Sequence, residues 1–175
     1  MTLAIGDPAP AFELPDTSGA LHTPGADAAT VVVFTCNHCP YALAWHERLA
    51  DVARDYEGRG VRMLAINSND AERYPRDSLA AMSVRVAAEP EAWPMPYLHD
   101  ESQRVAHEYG ARTTPDVFVL DSAGRLVYRG APDSDHEDRS LRASWLRDAL
   151  DDLLAGSPVA LAQTEPVGCS IKWRG

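Results

Sequence analysis

The stretch Thr30-Val31-Val32-Val33-Phe34-Thr35-Cys36-Asn37-His38-Cys39-Pro40 decides the predicted fold. Its first half is a β-branched run without polar alternation, which is typical of a strand buried on both faces of a sheet. An amphipathic helix follows at residues 41–56, and residues 61–67 form a second apolar run. A strand, a helix and a strand in such close succession predict a right-handed βαβ unit with two parallel strands.

The N-terminal side and the middle of the chain are predicted from proline and capping signals. Residues 6–15 are proline-rich, so we expect an extended lead-in before the first strand. A helix is predicted at residues 78–87 and a brief strand at residues 97–99. The next helix is expected to start at Asp100 as its N-cap, with Gln103 completing a capping box.

The C-terminal part adds a hairpin and a helix. Residues 116–120 and 125–129 are apolar runs with a short connection, which predicts two antiparallel strands. A last helix is predicted at residues 140–154. The order βαβ, helical insertion and ββα predicts an α/β fold in which helices flank a mixed central sheet.

The length and the net charge of the chain limit the number of domains and the classes of binding partner that we expect. The 175 residues suit a single domain over residues 1–175, with residues 156–175 as an irregular tail that packs on it. The net charge of −10 disfavours nucleic acid and anionic membrane surfaces as partners. The N-terminus lacks the basic start and apolar run of a secretory signal, so we expect a cytoplasmic protein.

Two cysteines separated by two residues at the start of a helix predict thiol–disulfide chemistry. Cys36 is expected near the free N–H groups of the helix, which would depress its pKa, and Cys39 lies close enough to close a disulfide with it. His38 can stabilise the Cys36 thiolate, or it can be a solvent-facing residue without effect. The alternatives are a structural zinc site, for which a second ligand pair at matched spacing is lacking, and inert buried thiols.

The motifs together resemble the peroxiredoxin-like branch of the thioredoxin superfamily. They are Cys36-Asn37-His38-Cys39-Pro40-Tyr41, Asn67-Ser68-Asn69-Asp70, Thr114-Pro115-Asp116, Tyr128-Arg129-Gly130 and the terminal Gly168-Cys169-Ser170-Ile171-Lys172-Trp173. The resemblance covers almost the whole chain and implies a thioredoxin-like fold with redox-active cysteines. It also implies that Pro115 is cis and lies against Cys36, and that Thr114 and Pro115 dock a substrate strand.

The sequence departs from both neighbouring families. Thioredoxins have a buried aspartate six residues before the first cysteine, where this chain has Thr30, so proton transfer needs another base such as His38, Glu47, Asp116 or water. Peroxiredoxins have a threonine or serine three residues before the reactive cysteine. Alignment on Cys39 puts Cys36 in that place, which weakens a peroxidase assignment.

The third cysteine has two interpretations. The tail is long enough to bring Cys169 back to the helix start, where its thiol could resolve a mixed disulfide or a sulfenate. It could equally be a small buried residue in a tail held by Ile171 and Trp173. The acidic run 133–138 is interpreted as a solvated surface loop.

These observations predict a thiol–disulfide oxidoreductase that acts on a protein or small-molecule disulfide and is re-reduced by a cellular dithiol. The candidate catalytic residues are Cys36, Cys39 and Cys169, and the candidate substrate-binding residues are His38, Thr114 and Pro115. We expect no cofactor, and a homodimer remains open. The alternatives are a thiol peroxidase and a metal-binding or redox-sensing module.

Overall fold

The computed structural model describes residues 2–25 and 27–175, so the predicted domain bound at residue 1 lies outside the described part. The fold is a five-stranded mixed sheet with helices on both faces. The strands lie in the order β5 (Tyr97–His99), β4 (Val61–Asn67), β3 (Ala29–Phe34), β7 (Asp116–Asp121) and β8 (Leu126–Gly130). The contacts β3–β4 and β4–β5 are parallel, whereas β3–β7 and β7–β8 are antiparallel. The predicted thioredoxin-like α/β fold with a mixed sheet is therefore confirmed.

The elements follow the predicted order closely. The strands are β1 (Leu14–Pro15), β2 (Leu21–His22), β3 (Ala29–Phe34), β4 (Val61–Asn67), β5 (Tyr97–His99), β6 (Thr113–Thr114), β7 (Asp116–Asp121), β8 (Leu126–Gly130) and β9 (Cys169–Ser170). The α-helices are α1 (Pro40–Glu57), α2 (Leu79–Ala88), α3 (Arg104–Tyr109) and α4 (Ser144–Leu154). No helix of residues 2–25 and 27–175 is both long and apolar enough to cross a membrane.

The central strand β3 explains why the sheet needs cover on both faces. All six of its residues are buried. Val31 and Val33 belong to the hydrophobic core that contains Trp45 of α1. Val32 and Phe34 belong to a second core that contains residues of α3. Alternate side chains of a strand point to opposite faces, so a run of apolar residues places β3 in the middle of the sheet.

Two predicted helix starts are wrong. Asp100 is not the N-cap residue of α3, although its carboxylate accepts hydrogen bonds from the N–H groups of Val105 and Ala106 in the first turn. Gln103 is the N-cap in a left-handed conformation, and its side chain donates to the carbonyl oxygens of Ser68 and Lys172 instead of completing a capping box. The last helix begins at Ser144, because Arg142 and Ala143 adopt positive φ angles of 55° and 57° and separate it from a short 3-10 turn.

The acidic run 133–138 is only partly a solvated loop. Asp133 is 1% exposed and its carboxylate accepts hydrogen bonds from Arg48, Trp45 and the backbone N–H of Ala143. Arg48 is itself 4% exposed. This buried ion pair ties α1 to the segment that precedes α4, and the interpretation of Asp133 as a surface residue is wrong.

Candidate active site

Four elements bring the three cysteines to one place. Cys36 and Cys39 lie between β3 and α1, Thr114 ends β6, and Cys169 begins β9. Cys36 Sγ lies 3.3 Å from Thr114 Oγ1, and Cys39 Sγ lies 3.2 Å from the Thr114 carbonyl oxygen. Cys36 and Cys39 are buried free thiols, and the half-buried Cys169 packs against them.

The start of α1 decides which of the two cysteines lies at the N-terminus of the helix. Cys39, not Cys36, is the N-cap of α1, and Pro40 occupies the first turn. The pKa of Cys39 is lowered to about 4, first by a hydrogen bond from the Cys36 thiol and further by the Cys169 thiol and the Ala42 N–H. A thiolate at this position gains from the unpaired donors of the helix N-terminus.

The pKa of Cys36 shifts in the opposite direction. Its pKa is raised because its thiol donates to Cys39, because it is buried, and because the negative charge of Asp77 lies nearby. The expectation of a depressed pKa at Cys36 is therefore wrong. Burial and a neighbouring carboxylate both disfavour a thiolate at Cys36, whereas the hydrogen bonds to Cys39 favour a thiolate there.

Asp77 is the residue of the site that the sequence did not reveal. It is fully buried in a short 3-10 turn before α2. Its carboxylate accepts from the Asn37 N–H at 2.7 Å, from Asn67 Nδ2 at 3.1 Å and from Asn69 Nδ2 at 3.0 Å. These amide donors explain how a charge is held without water. The motif Asn67-Ser68-Asn69-Asp70 contains two of these donors, but no neighbouring residue in the sequence identifies Asp77 as their acceptor.

His38 faces this carboxylate. His38 Nδ1 lies 2.5 Å from Asp77 Oδ2, and its ring stacks on Tyr74. Of the three side chains named as candidate bases, His38 is the one placed beside Asp77 and the cysteine pair. Glu47 is exposed and pairs with Arg139, and the carboxylate of Asp116 accepts from the Arg112 N–H.

The loop between the cysteines is held by Asn37. Its amide oxygen accepts from the Tyr97 hydroxyl at 2.8 Å and from Arg85 Nη1 at 3.0 Å. Arg85 also donates to the carbonyl oxygen of Cys36 at 3.2 Å. Asn37 is thus fixed by β5 and α2, which holds the loop that carries the two sulfurs next to Thr114.

The Thr114–Pro115 segment has the predicted cis peptide bond, and the C-terminal tail pairs with it. The Thr114–Pro115 bond is cis, and Thr114 contacts Cys36. β6 pairs with β9 in antiparallel register, with Thr114 opposite Cys169 and Thr113 opposite Ser170. The tail therefore returns to the start of α1, which is what participation of Cys169 requires.

A metal ion has one candidate position in residues 2–25 and 27–175. Ligand atoms of Cys36, His38 and Asp77 all lie within 4.8 Å of one another. A thiolate, an imidazole and a carboxylate are ligand types that zinc accepts. However, the Asp77 carboxylate is already engaged by three amide N–H groups and by His38, so its oxygens are arranged for hydrogen bonds.

The fold and the three clustered thiols define a thioredoxin-fold protein with thiol-based redox function. Residues 5–129 match the model of the AhpC/TSA family. The chain belongs to this family.

Solved structures agree with this membership. An uncharacterized conserved protein from Geobacillus kaustophilus is 41% identical, with a TM-score of 0.91, and the match covers 99% of this chain and 94% of that one. A hypothetical protein from Sinorhizobium meliloti 1021 is 38% identical, with a TM-score of 0.92 and coverage of 100% and 97%. A putative thioredoxin from Neisseria meningitidis is 21% identical, with a TM-score of 0.66 and coverage of 87% and 93%, and shows the fold alone. No curated protein sequence matches the chain.

Proposed function

We propose that the chain is a thiol–disulfide oxidoreductase that cycles a Cys36–Cys39 disulfide. The observation that carries the proposal is the cluster itself: Cys39 at the N-terminus of α1 has its pKa lowered to about 4, and thiols of Cys36 and Cys169 stand beside it. A thiolate flanked by protonated thiols has both the nucleophile and the resolving group that disulfide exchange needs.

The proposed reaction follows from these ionisation states. The Cys39 thiolate attacks one sulfur of a disulfide R–S–S–R, and one RS⁻ leaves and takes up a proton. The Cys36 thiol then gives up its proton and attacks the Cys39 sulfur, which releases the second RS⁻ and leaves a Cys36–Cys39 disulfide. An external dithiol restores both thiols. The depressed pKa that the sequence predicts for Cys36 would make Cys36 the attacking thiolate, whereas the lowered pKa of Cys39 favours the reverse order.

Cys169 is a second candidate for the resolving step. It is a hydrogen-bond partner of Cys39, and burial raises its pKa to about 11. A mixed disulfide on Cys39 would therefore meet a protonated thiol on either side. Peptide mapping after mild oxidation tests this role, and it is refuted if Cys169 is found in no disulfide.

The test of the main proposal is a set of single-turnover reactions of the reduced protein with a small disulfide. We expect wild type to form a Cys36–Cys39 disulfide, Cys39→Ser to be unreactive, and Cys36→Ser to stop at a mixed disulfide on Cys39 or at a Cys39–Cys169 disulfide. A peroxidase, the activity that the family also allows, would instead be oxidised rapidly by hydrogen peroxide and would retain that reaction in Cys36→Ser. Lack of reaction with any disulfide would refute the proposal.

A further inference from the structure

The outer edge of β6 is the strand edge nearest the redox sulfurs. The two residues of β6 are Thr113 and Thr114, and Thr114 contacts the sulfurs of both Cys36 and Cys39. An extended peptide can pair with an open strand edge through its backbone alone, whatever its side chains. A peptide paired here would place the residue opposite Thr114 beside the cysteine pair.

In this chain the C-terminal tail itself pairs with the edge of β6. β9 pairs with β6 over its whole length, and the residue opposite Thr114 is Cys169. Ile171 continues the contact by donating its N–H to the carbonyl oxygen of Arg112 at 3.0 Å. The tail strand therefore occupies the position that a cysteine-containing substrate strand would take.

The approach of the two segments is close. A Cβ atom added at Gly168 would overlap the carbonyl oxygen of Thr114, so only glycine permits this distance. In contrast, a Cβ added at Gly175 of the same tail would meet no heavy atom within 4 Å. Gly168 thus reports specifically on the seating of the tail against β6.

Contacts beyond β9 anchor the tail. The Lys172 N–H donates to Asn69 Oδ1 at 2.9 Å, and the Lys172 carbonyl oxygen accepts from the Asp70 N–H at 2.8 Å. Ile171 is 3% exposed within the core on the α3 side, and Trp173 stacks on His107 with ring centroids 4.0 Å apart. Because Asn69 also donates to Asp77, the same asparagine joins the tail to the redox site.

We propose that the seated tail excludes polypeptides from the cysteine pair, so that the substrates are low-molecular-weight disulfides. This proposal rests on the thiol–disulfide exchange proposed above. A tethered segment competes at an effective concentration on the order of 1 mM. A protein substrate at roughly 10 µM is then disfavoured about 100-fold, whereas a small disulfide needs no strand edge.

The test compares two disulfide substrates in single-turnover reactions of the reduced full chain. The probes are hydroxyethyl disulfide and insulin, and the readout is formation of the Cys36–Cys39 disulfide. We expect wild type to react with hydroxyethyl disulfide and only slowly with insulin. Gly168→Ala should accelerate the insulin reaction about 100-fold without a comparable gain for hydroxyethyl disulfide.

Three further variants make the result specific. Gly175→Ala is the matched control and should behave as wild type. Cys169→Ser removes the thiol but keeps the strand, so the ratio of its insulin rate to its hydroxyethyl disulfide rate should stay at the wild-type value, whatever the thiol contributes to the exchange itself. Ile171→Asp releases the tail through a different contact and should accelerate the insulin reaction as Gly168→Ala does, with release checked by hydrogen exchange of the tail amides.

Two outcomes would overturn the proposal and are distinguishable from failure of the exchange function. If wild type reacts with insulin as readily as the released variants do, the tail is not a barrier. If the amides of the tail exchange freely in Gly168→Ala and Ile171→Asp but insulin still reacts slowly, the β6 edge is not where a polypeptide docks. If neither substrate oxidises any of these proteins, the exchange function itself fails and the proposal falls with it.

Discussion

Replacement of Cys36 by alanine should raise the pKa of Cys39. The hydrogen bond from the Cys36 thiol is the largest of the contacts that lower this pKa to about 4. Alanine removes this donor, while the Ala42 N–H, the Cys169 thiol and the Thr114 hydroxyl remain. The variant therefore isolates the effect of one cysteine on the other.

The magnitude follows from the strength of a charged hydrogen bond. Such a bond contributes about 1.5–3 kcal/mol, and one pKa unit corresponds to about 1.4 kcal/mol. Loss of the Cys36 donor should then shift the pKa of Cys39 upward by about 1–2 units. We expect a value of about 5–6 in Cys36→Ala, which is still below that of an ordinary thiol.

The assay is a pH titration of thiolate absorbance in the ultraviolet, which reports ionisation of a buried sulfur without a reagent that must reach it. Cys169, with its pKa raised to about 11, titrates separately. Cys36→Ser is the matched control, because its hydroxyl can still donate to Cys39, and its curve should stay close to that of wild type. The reasoning is refuted if Cys39 titrates near an ordinary thiol in wild type, or if the serine variant shifts as far as the alanine variant.

Three other substitutions test charges that are buried in the fold. Asp77→Asn should lower the pKa of Cys36, because it removes a nearby negative charge, and an unchanged thiolate titration would contradict this. Burial raises the pKa of Asp116 to about 6 from 3.8, so the folded state holds a proton that the unfolded state releases. The free energy of unfolding of wild type should therefore fall by up to about 3 kcal/mol relative to that of Asp116→Asn as the pH rises from about 4 to 6. Urea unfolding at several pH values measures this difference, and a difference independent of pH would oppose it. Asp133→Ala leaves the buried Arg48 cation without its carboxylate partner and should cost about 3–5 kcal/mol of unfolding free energy, so a loss under about 1 kcal/mol would contradict the buried ion pair.

Much of the fold could be predicted because its signals are local. The β-branched run at β3 and the apolar stripe of α1 each depend on side chains a few residues apart, and the structure agrees with both to within one or two residues. The failed boundary of α3 depends on distant partners. Gln103 leaves its predicted place in a capping box because its side chain binds the carbonyl oxygens of Ser68 and Lys172, and the latter is far away in the sequence.

The candidate site likewise has features that the sequence predicts and features that it does not. Cys36, Cys39 and Thr114 could be named from short motifs, but the order of the two thiol pKa values could not be predicted. That order depends on a helix that starts one residue after Cys39 and on Asp77, which reaches Cys36 from another segment. No short-range pattern links Asp77 to the cysteine motif, since its donors become neighbours only in the folded chain.

The most direct test of the account is a redox titration of the wild-type protein followed by peptide mapping at each potential. We predict one reversible two-electron transition that links Cys36 to Cys39, at a midpoint within the range of roughly −270 to −120 mV found for related dithiols. The account is contradicted if no Cys36–Cys39 crosslink forms at any potential, or if the purified protein holds a stoichiometric metal ion on Cys36 that prevents it.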